Sequence, residues 1–387
     1  MNDTPHPALL PAGMHDLLPP EAEAEAEAVA RLMAVLAAHG YQRVKPPLVE
    51  FEETLLSGAG AAMATATFRT MDPGSHRMIG VRADMTPQIA RIAVTRLGAA
   101  ARPLRLSYSG QVLRVKGSEI RPERQIGQVG AELIGAAGSA ADVEAIAVAG
   151  AALAKLAVPH LSVDITLPTL VPAVTEAFGI DGERAAALRA ALDHKDAAAV
   201  AQIAGTAGSL LGRLLAAAGP AAEALAALDR LELPARARAE RARLGAVLDG
   251  LATAAPALKA TVDPVENRGF EYHSGISFTF FGGGAAAGGS TGELGRGGRY
   301  LAGDPGSAEP ATGFTLYTDT ILRTLPDLPP PRRVLLPLTA AREHAERLRE
   351  QGWITVAALA PAADWRTEAR RLGCTHVLEN GAPVALA

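Results

Sequence analysis

Apolar residues Val29, Leu32, Met33 and Leu36 recur at three- and four-residue intervals, the spacing that lays a stripe along one helix face. The preceding run EAEAEAEA follows Pro19 and Pro20. Its glutamates suit the positive end of a helix dipole and Pro20 suits a helix start, so the pattern predicts one helix closed by Gly40. Alternating glutamate and alanine mimics a strand period, but both residues favour helix. Residues 44–49 predict a strand that lies at an edge or is distorted, because Pro46 and Pro47 cannot donate to a ladder. Residues 77–82, 104–114, 125–134 and 161–167 predict further strands, with helices over 86–97 and from 140 to about 157.

The pattern then changes twice. From about residue 170 to 258, alanine and leucine follow a helical period broken by Gly179, Gly205, Gly219-Pro220 and Pro234, which predicts an all-helical insertion. Strand character returns at 275–281 and 313–317, on either side of a glycine-rich passage from Gly282 to Gly298. Its first part, GGGAAAGGS, lacks the GKS or GKT of a phosphate loop and reads as a hairpin turn. After the proline-rich LPDLPPPRR, strand and helix alternate in short units. Strands that pair across an insertion, with few βαβ alternations, predict an α+β fold with an antiparallel sheet flanked by helices. The expected division is a core over 1–325, a linker at 326–333 and a small α/β domain over 334–387.

Composition narrows the function. Of 387 residues, 49% are hydrophobic and 20% charged, as in ordinary globular proteins; aromatics are only 4%, so alanine and leucine must fill the core. The net charge of −4 argues against tRNA or other nucleic acid as main partner, since phosphate contacts need a basic face. One cysteine, Cys374, excludes an internal disulfide and reads as a buried thiol. Nine histidines form no HxxxH or HExxH pair, so neither metal nor cofactor is expected. No basic leader precedes an apolar run, and no stretch holds about 18 uninterrupted apolar residues. A cytoplasmic protein with no membrane segment is the expectation.

On the strand over 125–134, Gln128, Gly130 and Glu132 are spaced by two and share one face, a polar platform flanking a glycine. Thr86 stands where a helix N-cap is expected. Arg268, beside Gly269, could grip a carboxylate or phosphate, or simply form a salt bridge. Taken singly, each is accounted for by a solvated face, a cap and an ion pair.

Together and in this order they resemble the class II aminoacyl-tRNA synthetase core, and within it the histidyl-tRNA synthetase family, over roughly residues 8–325. PAGMHDLLP (11–19) resembles the family's opening, and GYQRVKPPLVE (40–50) the first class motif, with Pro47 at the dimer-forming proline. Residues 105–135 resemble the second motif, and ATGFTLYTDTI (311–321) the third. RGFEYH (268–273) and GRGGRY (295–300) resemble the two histidine signatures. The resemblance implies that Asp84, Thr86 and Gln128 receive a ligand's ammonium, that Glu132 faces its imidazole and that Arg268 takes its carboxylate. Tyr272, His273 and Tyr300 would complete the pocket, His273 standing where the family has a tyrosine, and Arg114 would be the arginine that holds an α-phosphate.

Three departures concern the nucleotide. A carboxylate of the second motif is Lys116, a loop arginine falls on Pro122 with Arg121 beside it, and the Glu-Arg that ends the third motif is Asp319-Thr320. Adenylate formation depends on guanidinium groups that neutralise a polyphosphate as charge shifts to the leaving group. A synthetase scaffold with a kept amino-acid pocket and a damaged ATP site is similar to the regulatory subunits of short-form ATP phosphoribosyltransferase, which serves the first step of histidine biosynthesis. That similarity implies no catalytic residue, a class II homodimer, a hetero-oligomer with the short catalytic subunit, and L-histidine as feedback effector. The alternative is an active histidyl-tRNA synthetase, which would exchange pyrophosphate with ATP when histidine is present.

Overall fold

The computed structural model describes residues 9–117, 121–266, 273–283, 292–303, 306–326 and 331–386. The chain divides into two compact units, Met1–Leu325 and Pro326–Ala387.

In the first unit the described residues form a nine-stranded sheet. Its order is Gln42–Arg43, Leu104–Leu113, Gln125–Ile134, Glu309–Tyr317, Gly292–Ala302, Ser277–Gly282, Ser162–Thr166, Lys259–Asp263 and Gly219–Pro220. Pairing is antiparallel through the centre and parallel at Gln42–Arg43 against Leu104–Leu113 and at Ser162–Thr166 against Lys259–Asp263. The central strand Gln125–Ile134 is buried at nearly every position because it lies between two apolar layers. Val129 and Ala131 pack with Leu32, Leu36, Ile146 and Ala149 from helices Glu21–Ala38 and Ser139–Lys155. Ile126 and Ile134 point the other way, into a cluster with Met85, Ile89, Tyr108 and Tyr300 beneath helix Thr86–Thr95. The face shared by Gln128, Gly130 and Glu132 is therefore interior.

The expected strand over 44–49 is divided. Gln42–Arg43 joins the large sheet, while Val49–Phe51 joins a separate sheet with Phe68–Met71 and Met78–Val81. Pro46 and Pro47 fall in the gap and contribute carbonyls instead: Arg82 Nη1 donates to Pro46 O at 3.1 Å, and Gln88 Nε2 to Pro47 O at 2.8 Å.

Helices Leu170–Ala177 through Ala235–Ala254 follow one another in the alanine-rich stretch, interrupted by Gly219–Pro220, which pairs at the sheet edge. Within it, Ala197–Leu215 is the one stretch among the described residues long and apolar enough to cross a membrane by length and composition. A 3-10 turn at Gly205–Ala207 divides it, and Val200, Ala204, Leu211 and Leu214 are buried in the core. The second unit carries a four-stranded sheet ordered Ile354–Ala357, Arg333–Leu336, His376–Glu379 and Ala382–Ala385, with helices Arg342–Glu350 and Trp365–Arg371. Cys374 is buried there, and burial raises its thiol pKa.

One buried ion pair ties the sheet to a helix start. Arg299 Nη2 lies 2.9 Å from Asp142 Oδ1, with both side chains almost wholly enclosed. The remaining donors of Arg299 reach Ala136 O at 2.9 Å and Gly138 O at 2.8 Å. Removing one partner of such a pair strands an uncompensated charge, so Asp142→Ala is expected to lower stability by about 3–5 kcal/mol in urea unfolding. A loss under about 1 kcal/mol would show that the pair supports nothing.

Candidate ligand pocket

Asp84, Thr86, Glu132, His273 and Tyr300 line one pocket, together with Arg296, Thr315 and Tyr317. Gln128 and Arg114 lie outside its lining, and Arg268 and Tyr272 fall outside the described residues. Gln128, almost fully buried, works one step back. Its Oε1 accepts the Met85 N–H at 3.1 Å, and its Nε2 donates to Asp84 Oδ2 at 3.1 Å, which orients that carboxylate.

Thr86 is not the N-cap. The helix begins at Thr86, whose N–H donates to Asp84 Oδ1 at 2.8 Å. The Thr86 hydroxyl instead meets the Tyr108 hydroxyl at 3.3 Å, and the helix start has no side-chain cap bond.

Glu132 sits at the bottom, 1% exposed. Tyr300 Oη donates to its Oε2 at 3.0 Å and Tyr108 Oη to its Oε1 at 3.3 Å. A carboxyl here demands glycine across the ladder, since a Cβ on Gly313 would lie 1.8 Å from Glu132 Oε2. Gly130 has a different use from a ligand platform. It pairs with Tyr108 on the neighbouring strand, and a Cβ there would come within 2.3 Å of the tyrosine ring and hydroxyl. The slot above Gly130 holds the Tyr108 ring.

Burial pushes the Glu132 carboxyl up to about 8 and the Asp84 charge adds to this, while hydrogen bonds from Tyr300, Thr86 and Tyr108 pull the other way. Burial, then the neighbouring carboxylates, hold the Tyr108 hydroxyl well above its usual range, so it remains a donor. The pocket thus presents one exchangeable acid, Glu132, beside a second carboxyl, Asp84. That arrangement fits a small ligand with two hydrogen-bond-donating or cationic groups.

Next to it lies a cluster of arginines with anionic company. Arg121 stacks 4.0 Å over the Tyr317 ring, donates to Thr320 Oγ1 at 3.1 Å and to Glu293 O at 3.3 Å, and lies 3.9 Å from Asp319. Arg296 holds Glu293 through two bonds of 2.8 and 2.9 Å. Arg323 donates to Glu123 at 2.9 Å. Burial raises the Glu293 pKa, but the bonds from Arg296 and the charges of Arg296, Arg121 and Arg114 outweigh it and leave the carboxyl below its usual value. Of these partners, the sequence pointed only to Arg114, Arg121 and the Asp319-Thr320 departure. Tyr108, Thr315 and Arg296 escaped it; an aromatic opposite a glycine is a signal for the first, but only once strand register is known.

Glu132 gives the pocket a pH signature. Between 4.5 and about 8 the folded chain keeps a proton there that the unfolded chain has lost, so stability falls as pH rises through that window and the effect levels off above it. Glu132→Gln removes this term. Thermal midpoints from pH 5 to 9 are expected to fall more steeply for the wild type than for the variant, and parallel curves would contradict the buried acid.

A sequence model of the family described as histidyl-tRNA synthetase matches residues 13–321. The chain is 57% identical over 378 residues to the ATP phosphoribosyltransferase regulatory subunit of Rhodospirillum centenum, covering 98% of this chain and 96% of that one. It is 56% identical over 378 residues to the same-named protein of Paramagnetospirillum magneticum, covering 98% of each. A solved structure from Bacillus halodurans, described as an ATP phosphoribosyltransferase regulatory subunit/histidyl-tRNA synthetase, matches with a TM-score of 0.81 at 24% identity, covering 96% of this chain and 98% of that one. Histidyl-tRNA synthetase from a Nostoc species matches at 0.77 and 16%, covering 97% and 91%. The structures establish the α+β fold of a class II synthetase. With sequence identity maintained over nearly the whole length, the chain belongs to the histidyl-tRNA synthetase-like family and, within it, to the ATP phosphoribosyltransferase regulatory subunits.

Proposed function

We propose that this chain is a non-catalytic subunit that joins a short-form ATP phosphoribosyltransferase catalytic subunit, supports its reaction and carries L-histidine as feedback effector in the pocket built on Glu132. Self-association through the class II surface around Pro47 belongs to the same reading. The observation that supports it best is the contrast between the two halves of the site. The amino-acid half keeps Asp84, Thr86, Glu132 and Tyr300 around one cavity. In the nucleotide half, Arg121 lies against Asp319 and Thr320 rather than standing open to a polyphosphate. A transition state for adenylation needs preorganised positive charge, and guanidinium groups already engaged by carboxylates must first be freed.

Histidine can regulate only if it binds two arrangements of the complex with different affinity, because a ligand indifferent to both shifts neither. The ammonium would meet Asp84, oriented by Gln128, and the imidazole would meet Glu132 and Tyr300. Arg114, Arg268, Tyr272 and His273 complete the proposed set.

The test is reconstitution. Mixing the full chain with a short catalytic subunit is expected to raise ATP phosphoribosylation, and L-histidine is expected to suppress it. Glu132→Ala should assemble normally yet need at least about tenfold more histidine for half-inhibition, the loss of a buried hydrogen-bond partner. An inhibition curve unchanged by Glu132→Ala would move the effector to another site, and no stimulation by the chain would end the reading.

A further inference from the structure

We infer that Arg296 is a second carboxylate anchor of the pocket, beside the Arg268 that the family resemblance assigns, and that it takes a bound amino acid's carboxylate by exchanging it for Glu293. The inference rests on the reading of the pocket as an amino-acid site and adds a group that fixes the ligand's anionic end.

Three observations carry it. Arg296 is the one guanidinium among the described lining residues, and it shares the pocket with Asp84 and Glu132. Two carboxyls and one guanidinium complement a ligand that offers an ammonium, a donating side chain and a carboxylate.

Spacing agrees. Across the ladder, Glu132 pairs with Gly313 and Gly313 with Gly298, while Gly130 pairs with Thr315 and Thr315 with Arg296. The Arg296 row therefore lies two residues, about 7 Å, along the strands from the Glu132 row. Arg296, Gly298 and Tyr300 alternate on one face of their strand. A histidine whose imidazole reaches Glu132 and Tyr300 is long enough to bring its carboxylate to Arg296.

The third observation is the bulge. Residues three apart on a regular strand face opposite sides, yet Glu293 and Arg296 form a two-point ion pair. Phe280 pairs with Gly295 and Phe281 with Glu293, so one extra residue, Leu294, sits between them. A bulge of this kind re-aims a side chain, and here it brings Glu293 round to the Arg296 guanidinium. Arg296 is thus held ready in the geometry that a carboxylate accepts bidentately, with Glu293 occupying the place. Competition follows directly: whatever weakens Glu293 as a partner strengthens Arg296 toward a ligand.

The experiment is calorimetric titration of the full chain with L-histidine and with L-histidinol, which keeps the imidazole and ammonium but has no carboxylate. Arg296→Gln is expected to weaken histidine about tenfold or more and to change histidinol by less than about twofold. Glu293→Gln is expected to tighten histidine and leave histidinol alone, and this arm decides the matter if Arg296→Gln does not fold. The proposal is overturned if the preference for histidine over histidinol is unchanged in either folded variant. A wild-type chain that binds neither ligand overturns the pocket reading itself, and this inference with it. Histidine binding indifferent to both substitutions leaves the pocket standing and removes Arg296 alone.

Discussion

A carboxyl group is buried in the middle of the central sheet, and the site around Glu132 is arranged to keep it there. An isolated ionised carboxylate in that position would be far too costly, so the group either holds its proton or meets a donor or cation. Tyr108 and Tyr300 supply hydroxyls to its two oxygens, and the backbone opposite, at Gly313, lacks a side chain that would strike it. Tyr108 in turn lies across Gly130 and meets the Thr315 hydroxyl at 2.8 Å. Gln128 and Asp84 extend the network to the start of helix Thr86–Thr95. A network of this kind is specific because each member is satisfied only when the others are in place. In the proposed reading, a ligand that offers a donating ring and an ammonium would complete this acid site.

The neighbouring half of the scaffold has the opposite electrostatics. Where a synthetase would face a polyphosphate with open guanidinium groups, Arg121 leans on Tyr317 and Thr320, and Arg323 on Glu123. Each pairing is modest by itself at a partly wet surface. In the proposed reading, such pairings leave less open positive charge for a highly charged nucleotide. A protein that kept the first half and lost the second would be suited to sensing an amino acid rather than consuming it, which is what the proposed regulatory role asks of it.

Much of this was legible in the sequence, though unevenly. The stripe of Leu32, Met33 and Leu36 and the strand over 125–134 followed from period alone, because burial on one side enforces the pattern. Alternation also placed Gln128, Gly130 and Glu132 on one face. It could not tell that the face is interior, since helix Thr86–Thr95 covers it through tertiary packing. Thr86 looked like a cap because it is the right residue at the right place; the helix begins at Thr86 itself, and its hydroxyl meets Tyr108. Pro46 and Pro47 signalled trouble for a strand, but not that its two ends would enter different sheets. Hardest to foresee was the Glu293–Arg296 pair, which depends on a one-residue bulge that glycine-rich sequence permits but does not announce.

The account turns on a chain that holds histidine but does not activate it. The most direct measurement is ATP–pyrophosphate exchange by the purified chain at histidine concentrations that saturate binding. The expected result is saturable histidine binding with exchange no faster than the blank. Exchange that depends on histidine would mean that Arg114, Arg121 and their neighbours can still grip a triphosphate, and the account of the nucleotide half would be wrong.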